Sequence, residues 1–521
     1  MDTDRRSFLR AAAGAAALWL GRRGAAAEAP PLAAAAEAAL GVHRATRNTF
    51  RGAVGDRLRA FRPARRPFKP WPDRARQPLP APRFETGRAL FDALGRGAPA
   101  RAFARAALPL DALSRLLFLT NGVTSRGGDT ALRAAPSAGA LYSGELYALV
   151  ERVEGLAPGV YSYLAADHAL VSVREGPPLT ALASALETPG AFDGAAVVFA
   201  ISHVFGRYSI RYANRGYRYA LIDTGHLDEN LRLAAWELGL ESDAAERFED
   251  DRVNALLGID GREEAVCALR AVARGAEARV RRPQTRRALR ERGVAEAPQA
   301  GRSAPARFHE ATKLVAANGA SPAVAETAAA AQSPRAREPR PGAPDTAVHT
   351  AVRTRRSARR FESASLPRAA LDRVLTLARG EPALWRGDAL DLYCVAHRVE
   401  DTPPGLYRFR PARSQLEPLR EEKLASALVE ACLGQSKSGE AAAALIGVAR
   451  LADATVRGAR GYRDVLVDAG ATAQRVYLAA EAQGFAARNL AAYYDDELDA
   501  LLGLDARTEV AVHLTALGLG D

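Results

Sequence analysis

"NRGYRYALIDTGHLDENLRLAAWELGL", residues 214–240, recurs without gaps as "ARGYRDVLVDAGATAQRVYLAAEAQGF" at 459–485, an offset of 245. The register continues, with "DDRVNALLGIDGREE" (250–264) matching "DDELDALLGLDARTE" (495–509). Upstream, "PGVYSY" (158–163) corresponds to "PGLYRF" (404–409) after a one-residue shift, and "VHRATR" (42–47) echoes "FHEATK" (308–313). A shared offset over such lengths marks a duplicated domain. Each unit is too long for a solenoid repeat and should hold its own core. The pattern therefore predicts two homologous domains about an approximate two-fold axis, a pseudo-dimer within one chain that can exist as a monomer.

Each copy mixes helix and strand signals. "LPLDALSRLLFLTNG" (108–122) has apolar residues at helical spacing and stops at Asn121-Gly122. "AAVVFAISHVF" (195–205) reads as a buried strand. "LIDTGHLDENLRLAAWELGL" (221–240) reads as a long amphipathic helix in which Gly225 marks a close packing contact. The expected class is α+β, with helices around a short central sheet. The divisions are an N-terminal arm over 28–83, domains over 84–275 and 351–521, and between them a flexible Ala/Pro/Arg-rich linker over 276–350.

The net charge of +12 invites a nucleic-acid reading that its distribution opposes. Residues 1–80 carry +10 and residues 276–360 carry +11, so the remainder is net acidic. The excess is a solvated arginine-rich leader and linker rather than a phosphate-tracking groove, and no nucleic-acid partner is expected. No apolar run is long enough for a membrane span, so no stable membrane insertion is expected. Cys267, Cys394 and Cys432 are too scattered for a disulfide framework, and no His/Cys/carboxylate set has metal-ligand spacing. At the start, "DRRSFLR" precedes an Ala-rich stretch and Ala25-Ala26-Ala27. This is the pattern of a twin-arginine export signal over 1–27, implying a periplasmic or extracytoplasmic address. The alternative is an uncleaved Ala-rich helix.

"RAAPSAGALYSGELYALV" (133–150) ends as a buried strand but begins almost without side chains, as though something must approach its backbone. With "PGVYSY", "RGYRY", "GH…N…LAA…LGL" and "LLGIDG…E", it resembles the nitroreductase family, in its SagB/ThcOx-type dehydrogenase branch. The resemblance covers about 84–275 and 351–521. It implies an FMN-binding α+β sandwich, normally a dimer with a flavin between subunits. On that resemblance "RRSARRF" grips the FMN phosphate through Arg355, Arg356, Ser357 and Arg359. The opposite domain lays Arg133, Pro136, Ser137, Ala138, Gly139 and Ala140 along the rings. Arginine's planar fork suits phosphate, and small residues let backbone N–H groups reach a flat ring. The copies have diverged in complementary ways. Copy one has "GRGAPARAF" (95–103) where copy two has the arginine run, keeping Arg101 and Phe103, and copy two has "WRGDALDLY" (385–393) and no Pro-Ser. One composite FMN site per chain is expected, with its symmetry mate vacant.

Some thiazoline-oxidising relatives place a Lys-Tyr pair where this chain has Arg211-Tyr212. Arginine keeps its proton and cannot act as a base, but it can steady an anion while Tyr212 donates a proton. His203 and His226 read as satisfied structural histidines. The expected activity is an FMN-dependent oxidoreductase acting on a small molecule or peptide, with hydride transfer through flavin N5. Export would favour an organic hydride donor over NAD(P)H. The alternative is a degenerate, non-catalytic flavin- or peptide-binding protein of the same fold.

Overall fold

Strands and helices alternate as the two sequence periods require, and they do so twice. The computed structural model describes residues 33–48, 68–71, 74–85, 87–95, 102–127, 130–245, 247–276, 286–293, 295–296, 303–317, 346–379 and 389–521. The export signal read over 1–27, Arg101 and the start of "WRGDALDLY" lie outside the described residues.

In the first half, seven strands form one antiparallel sheet. They are β1 (Arg76–Pro78), β2 (Gly144–Val150), β3 (Gly159–Leu164), β4 (Ala169–Glu175), β5 (Val197–Val204), β6 (Glu241–Ala244) and β7 (Glu264–Ala273). Their spatial order is β1-β4-β3-β2-β5-β7-β6. The second half adds β8 (Leu390–Ala396), β9 (Gly405–Arg410), β10 (Gln415–Glu421), β11 (Ala443–Arg450), β12 (Ala486–Asn489) and β13 (Glu509–Gly518). Their order, β10-β9-β8-β11-β13-β12, repeats the first sheet without β1. Even the bulges recur: Val160/Tyr161 matches Leu406/Tyr407, and Ile201/Ser202 matches Gly447/Val448. Inheritance of irregularities at matched positions is what duplication produces, because a bulge re-aims every side chain beyond it.

Five of the helices bear most directly on the seam: α1 (Ala34–Ala45), α2 (Gly216–Glu237), α3 (Ala304–Ala311), α4 (Val348–Thr354) and α5 (Gly461–Glu481). The repeat stretches that disclosed the duplication are α2 and α5. Each is buried along nearly its whole circumference, one face against its own sheet and the other against its twin. Their meeting merges the cores. One apolar cluster runs through Leu116, Leu231, Val352, Leu392 and Val476, and each half keeps a smaller cluster on the far side of its sheet.

Gly225 and Gly470 are twins under the offset. A methyl group on Gly225 would strike the Val467 carbonyl oxygen, and one on Gly470 would strike that of Ile222. Val467 and Ile222 are twins as well, so the contact is self-complementary about the pseudo-dyad. Gly225→Ala should therefore force the helices apart at their crossing. A loss of about 1–3 kcal/mol or more is expected in denaturant unfolding, and a change under 0.5 kcal/mol would contradict this packing.

Two buried ion clamps fasten the halves. Asp495 of the second half accepts Arg215 Nη1 and Arg218 Nη1, both at 2.5 Å. Asp250 of the first accepts Arg460 Nη1 at 2.7 Å and Arg463 Nη2 at 3.2 Å. A prelude helix flanks each clamp: His43 on α1 bonds the Tyr462 hydroxyl at 2.9 Å, and His309 on α3 bonds that of Tyr217 at 3.3 Å. The second prelude explains why the 276–350 stretch is not simply flexible. Residues 303–317 are folded, Leu314–Ala316 pairs with Leu289–Glu291, and buried Lys313 holds Asp251 and Glu310 at 2.8 and 3.0 Å. An arginine-rich composition hid a segment whose charges are paired against the first half. Among the described residues no helix is long and apolar enough to cross a membrane, and no His/Cys/Asp/Glu group could hold a metal ion.

Candidate functional site

The near-featureless run after Pro136 is a strained turn. Gly139, Ala140 and Tyr142 have φ of 59°, 54° and 45°, a region that costs non-glycine residues about 1 kcal/mol or more each. Internal bonds hold it. The Ser137 hydroxyl turns inward, 2.6 Å from the Tyr208 hydroxyl, and accepts the Tyr142 N–H at 2.9 Å. Tyr208 donates in turn to the buried Asp223 carboxylate. Burial raises Asp223 to about 7, against the pull of Tyr208, Ser137 and the Ala138 N–H. Arg207 donates to the Tyr142 carbonyl at 2.7 Å. Arg133 lies behind the turn, its guanidinium 4.7 Å from the Tyr142 ring and 4.9 Å from that of Phe68.

Arg211 and Tyr212 come to the same place. A side chain at Gly139 would collide with the Tyr212 hydroxyl and approach Arg211 Nη1 to 3.4 Å. The smallness of the run thus admits the Arg-Tyr pair. Burial pushes the Tyr212 hydroxyl up to about 12, keeping it a neutral donor, while Arg211 is exposed.

Across the seam, α4 ends and the chain turns out at Arg355, which is 4% exposed. Its guanidinium lies 5.1 Å from the Tyr477 ring centroid. Among the described residues no carboxylate pairs with it, and its Nε is buried without a hydrogen-bond partner. Burial draws its pKa down, and neighbouring Arg356 adds to this. Its field also acts on Tyr142 and His226, both from the first half. Ser357 shares a 2.8 Å hydrogen bond with the Tyr477 hydroxyl, which accepts the Asn489 N–H at 2.9 Å. Arg356 bends back onto the carbonyls of Arg353 and Arg355 at 2.9 and 2.7 Å. Arg359 is exposed, its backbone N–H on the Asp521 carbonyl, and nothing ties its guanidinium to this cluster. The structure therefore gathers Arg355 and Ser357 near the 137–142 turn, with Arg356 turned aside, Arg359 apart and Arg133 behind.

Tyr477, Asn489 and His226 complete the cluster and were not singled out from the sequence as site residues. The available signal was departure from the repeat, since their twins are Arg232, Ala244 and Ala471. The pseudo-symmetric position differs in kind. There Arg475 and Arg232 hold Glu229 at 2.9 and 2.7 Å, and Arg270 grips Asp228 through two 2.7 Å bonds. Burial would raise Glu229, but the two arginines outweigh it and hold it at about 2. That side is neutralised internally; on the Arg355 side no carboxylate among the described residues forms an ion pair with the cation.

The Nitroreductase family model matches residues 99–272 and again 352–519. A Methanocaldococcus jannaschii protein, provisionally named a nitroreductase, is 32% identical over 170 residues, 33% of this chain and 84% of that one. A crystal structure from Anabaena variabilis, likewise provisionally named, covers 93% of this chain and 99% of its own at 22% identity, with a TM-score of 0.71. That likeness shows a shared fold over nearly the whole length. A duplicated fold and a family match in each copy lead to one conclusion: the chain belongs to the nitroreductase family, generally flavin-dependent oxidoreductases, and carries its domain twice.

Proposed function

We propose that this chain is an FMN-dependent oxidoreductase of the SagB-like kind with one composite flavin site, built from the arginine run of the second half and the 137–142 turn of the first. The observation that carries the proposal is Arg355, a buried cation at the seam with no ion-pair partner among the described residues and a buried Nε without a hydrogen bond. A buried, unpaired charge costs several kcal/mol, a cost that a phosphate dianion would offset. The residues present fit such a group. Arg355 and Ser357 would hold its phosphate, and the backbone of 138–140 would lie along its rings. When bound, the flavin supplies hydride transfer at N5. The chain's own contribution is placement and charge. Asp223, Tyr208 and Ser137 hold the strained turn, and Arg211 with Tyr212 presents donors to a developing anion on an organic substrate.

The ion-paired state of the symmetry-related position supports a single site. Purified protein reconstituted with excess FMN should hold one flavin per chain, read from its absorbance spectrum against protein concentration. Two flavins, or none, would overturn the proposal. Slow bleaching by NADPH is expected beside faster reduction by an organic donor.

A further inference from the structure

The seam carries a hydrogen-bond chain that the functional reading has not used. The Thr515 hydroxyl donates to Asn489 Oδ1 at 2.8 Å, and Asn489 Nδ2 donates to His226 Nε2 at 3.0 Å. His226 Nδ1 meets Gln474 Oε1 at 3.0 Å, and Gln474 Nε2 donates to Asn230 Oδ1 at 2.7 Å. The assignments enforce one another. Gln474 spends its amide N–H on Asn230, so its oxygen faces the imidazole, which must carry its proton on Nδ1. Nε2 is then bare and accepts from Asn489, whose oxygen is already turned to Thr515. Burial, reinforced by His513 and Arg355, keeps the imidazole well below its ordinary pKa. The last three links of the hydrogen-bond chain each cross between the halves.

Across the pseudo-dyad none of this survives. The twins of His226, Gln474, Asn489, Thr515 and Asn230 are Ala471, Glu229, Ala244, Arg270 and Arg475. The chain exists on the Arg355 side, and it leads to the unpaired cation. The Asn489 N–H donates to the Tyr477 hydroxyl, which shares a hydrogen bond with the Ser357 hydroxyl beside Arg355.

We infer that His226 is a positioning residue for the anion clamp. Through Asn489 and Tyr477, the first half sets Ser357 and Arg355 of the second for a phosphate-bearing ligand. The inference rests on the proposed flavin site and adds that phosphate selectivity is controlled from the opposite half.

The test compares FMN with riboflavin, which lacks the phosphate, by fluorescence titration of the full chain. His226→Leu should weaken FMN binding about tenfold, the scale of one or two hydrogen bonds, with riboflavin changed less than about twofold. His226→Gln, which offers one acceptor and one donor, should restore FMN binding. Equal loss of both flavins, or unaltered selectivity in His226→Leu, would overturn the inference. Should His226→Leu not fold, Gln474→Met breaks the chain from its far side and must give the same selective loss. If the unaltered chain binds neither flavin, the functional reading fails by itself. Thermal protection by inorganic pyrophosphate then decides this one, since it must fall in His226→Leu and return in His226→Gln.

Discussion

Arg355→Met is expected to give a folded chain that binds FMN far more weakly yet unfolds later than the unaltered chain without flavin. Both effects follow from one observation. Arg355 is 4% exposed, its Nε has no hydrogen-bond partner, and among the described residues no carboxylate forms an ion pair with it. Methionine keeps a flexible apolar stem against the Tyr477 ring and removes the buried charge. The apoprotein should gain about 1–2 kcal/mol in denaturant unfolding, a small part of the several kcal/mol that an isolated buried ion costs. FMN binding should weaken about 100-fold, or about 2.8 kcal/mol, within the range for hydrogen bonds to charged groups. Apoprotein destabilised by about 2 kcal/mol, with FMN binding intact, would show that Arg355 is structural. No such outcome is expected at Arg359, whose side chain is exposed and unattached to the cluster.

The second large effect lies at the other end of the seam. Asp495 is 1% exposed and serves Arg215 and Arg218 of the opposite half. Asp495→Ala strands two buried guanidinium groups and should cost about 3–5 kcal/mol, the range for breaking one partner out of a buried pair. The pH dependence follows from the same contacts. Burial would raise the Asp495 carboxyl, but Arg215 and Arg218 prevail and hold it at about 2, below its ordinary 3.8. A carboxyl depressed in the folded state stabilises fully above its unfolded value, and that stability drains as pH falls through the folded value. Asp250, lowered by Arg460 and Arg463, acts in the same direction. Unfolding monitored between pH 4 and pH 2 should therefore show steeply falling stability. In Asp495→Asn the slope should be shallower, since that residue no longer titrates. An identical acid limb in the variant would remove the clamp from the account.

Much of the architecture is legible in the sequence alone. The 245-residue offset disclosed two domains, and the helical period of 221–240 located the central helix, which begins five residues earlier at Gly216. It begins there because Arg215 and Arg218 are anchored on Asp495, a partner 280 residues away from Arg215. No local signal encodes that. Gly225 was legible as a close contact because glycine within a strong helical pattern needs a reason. The folded parts of 276–350 were not, since paired arginines and solvated ones have the same composition.

The candidate site divides along the same line. The two complementary half-motifs were readable because they are short, contiguous and absent from the opposite copy. His226 lies 263 residues from Asn489, and with Tyr477 they belong to ordinary helix and strand patterns, so nothing local distinguishes them. Ser137 shows the limit of motif reading. Its type was noticed, but its hydroxyl turns inward to Tyr208, a direction set by the backbone of a strained turn.

By itself, then, the order of residues established duplication, mixed α+β elements, the central glycine and an arginine-rich motif kept in one copy alone, because each depends on periodicity or on comparison along the chain. Which charges are cancelled was decided in three dimensions. Glu229 finds Arg232 and Arg475, whereas among the described residues Arg355 has no carboxylate at ion-pair distance. A one-dimensional pattern records the presence of charges, while the distances that neutralise them arise when α2 and α5 close on each other.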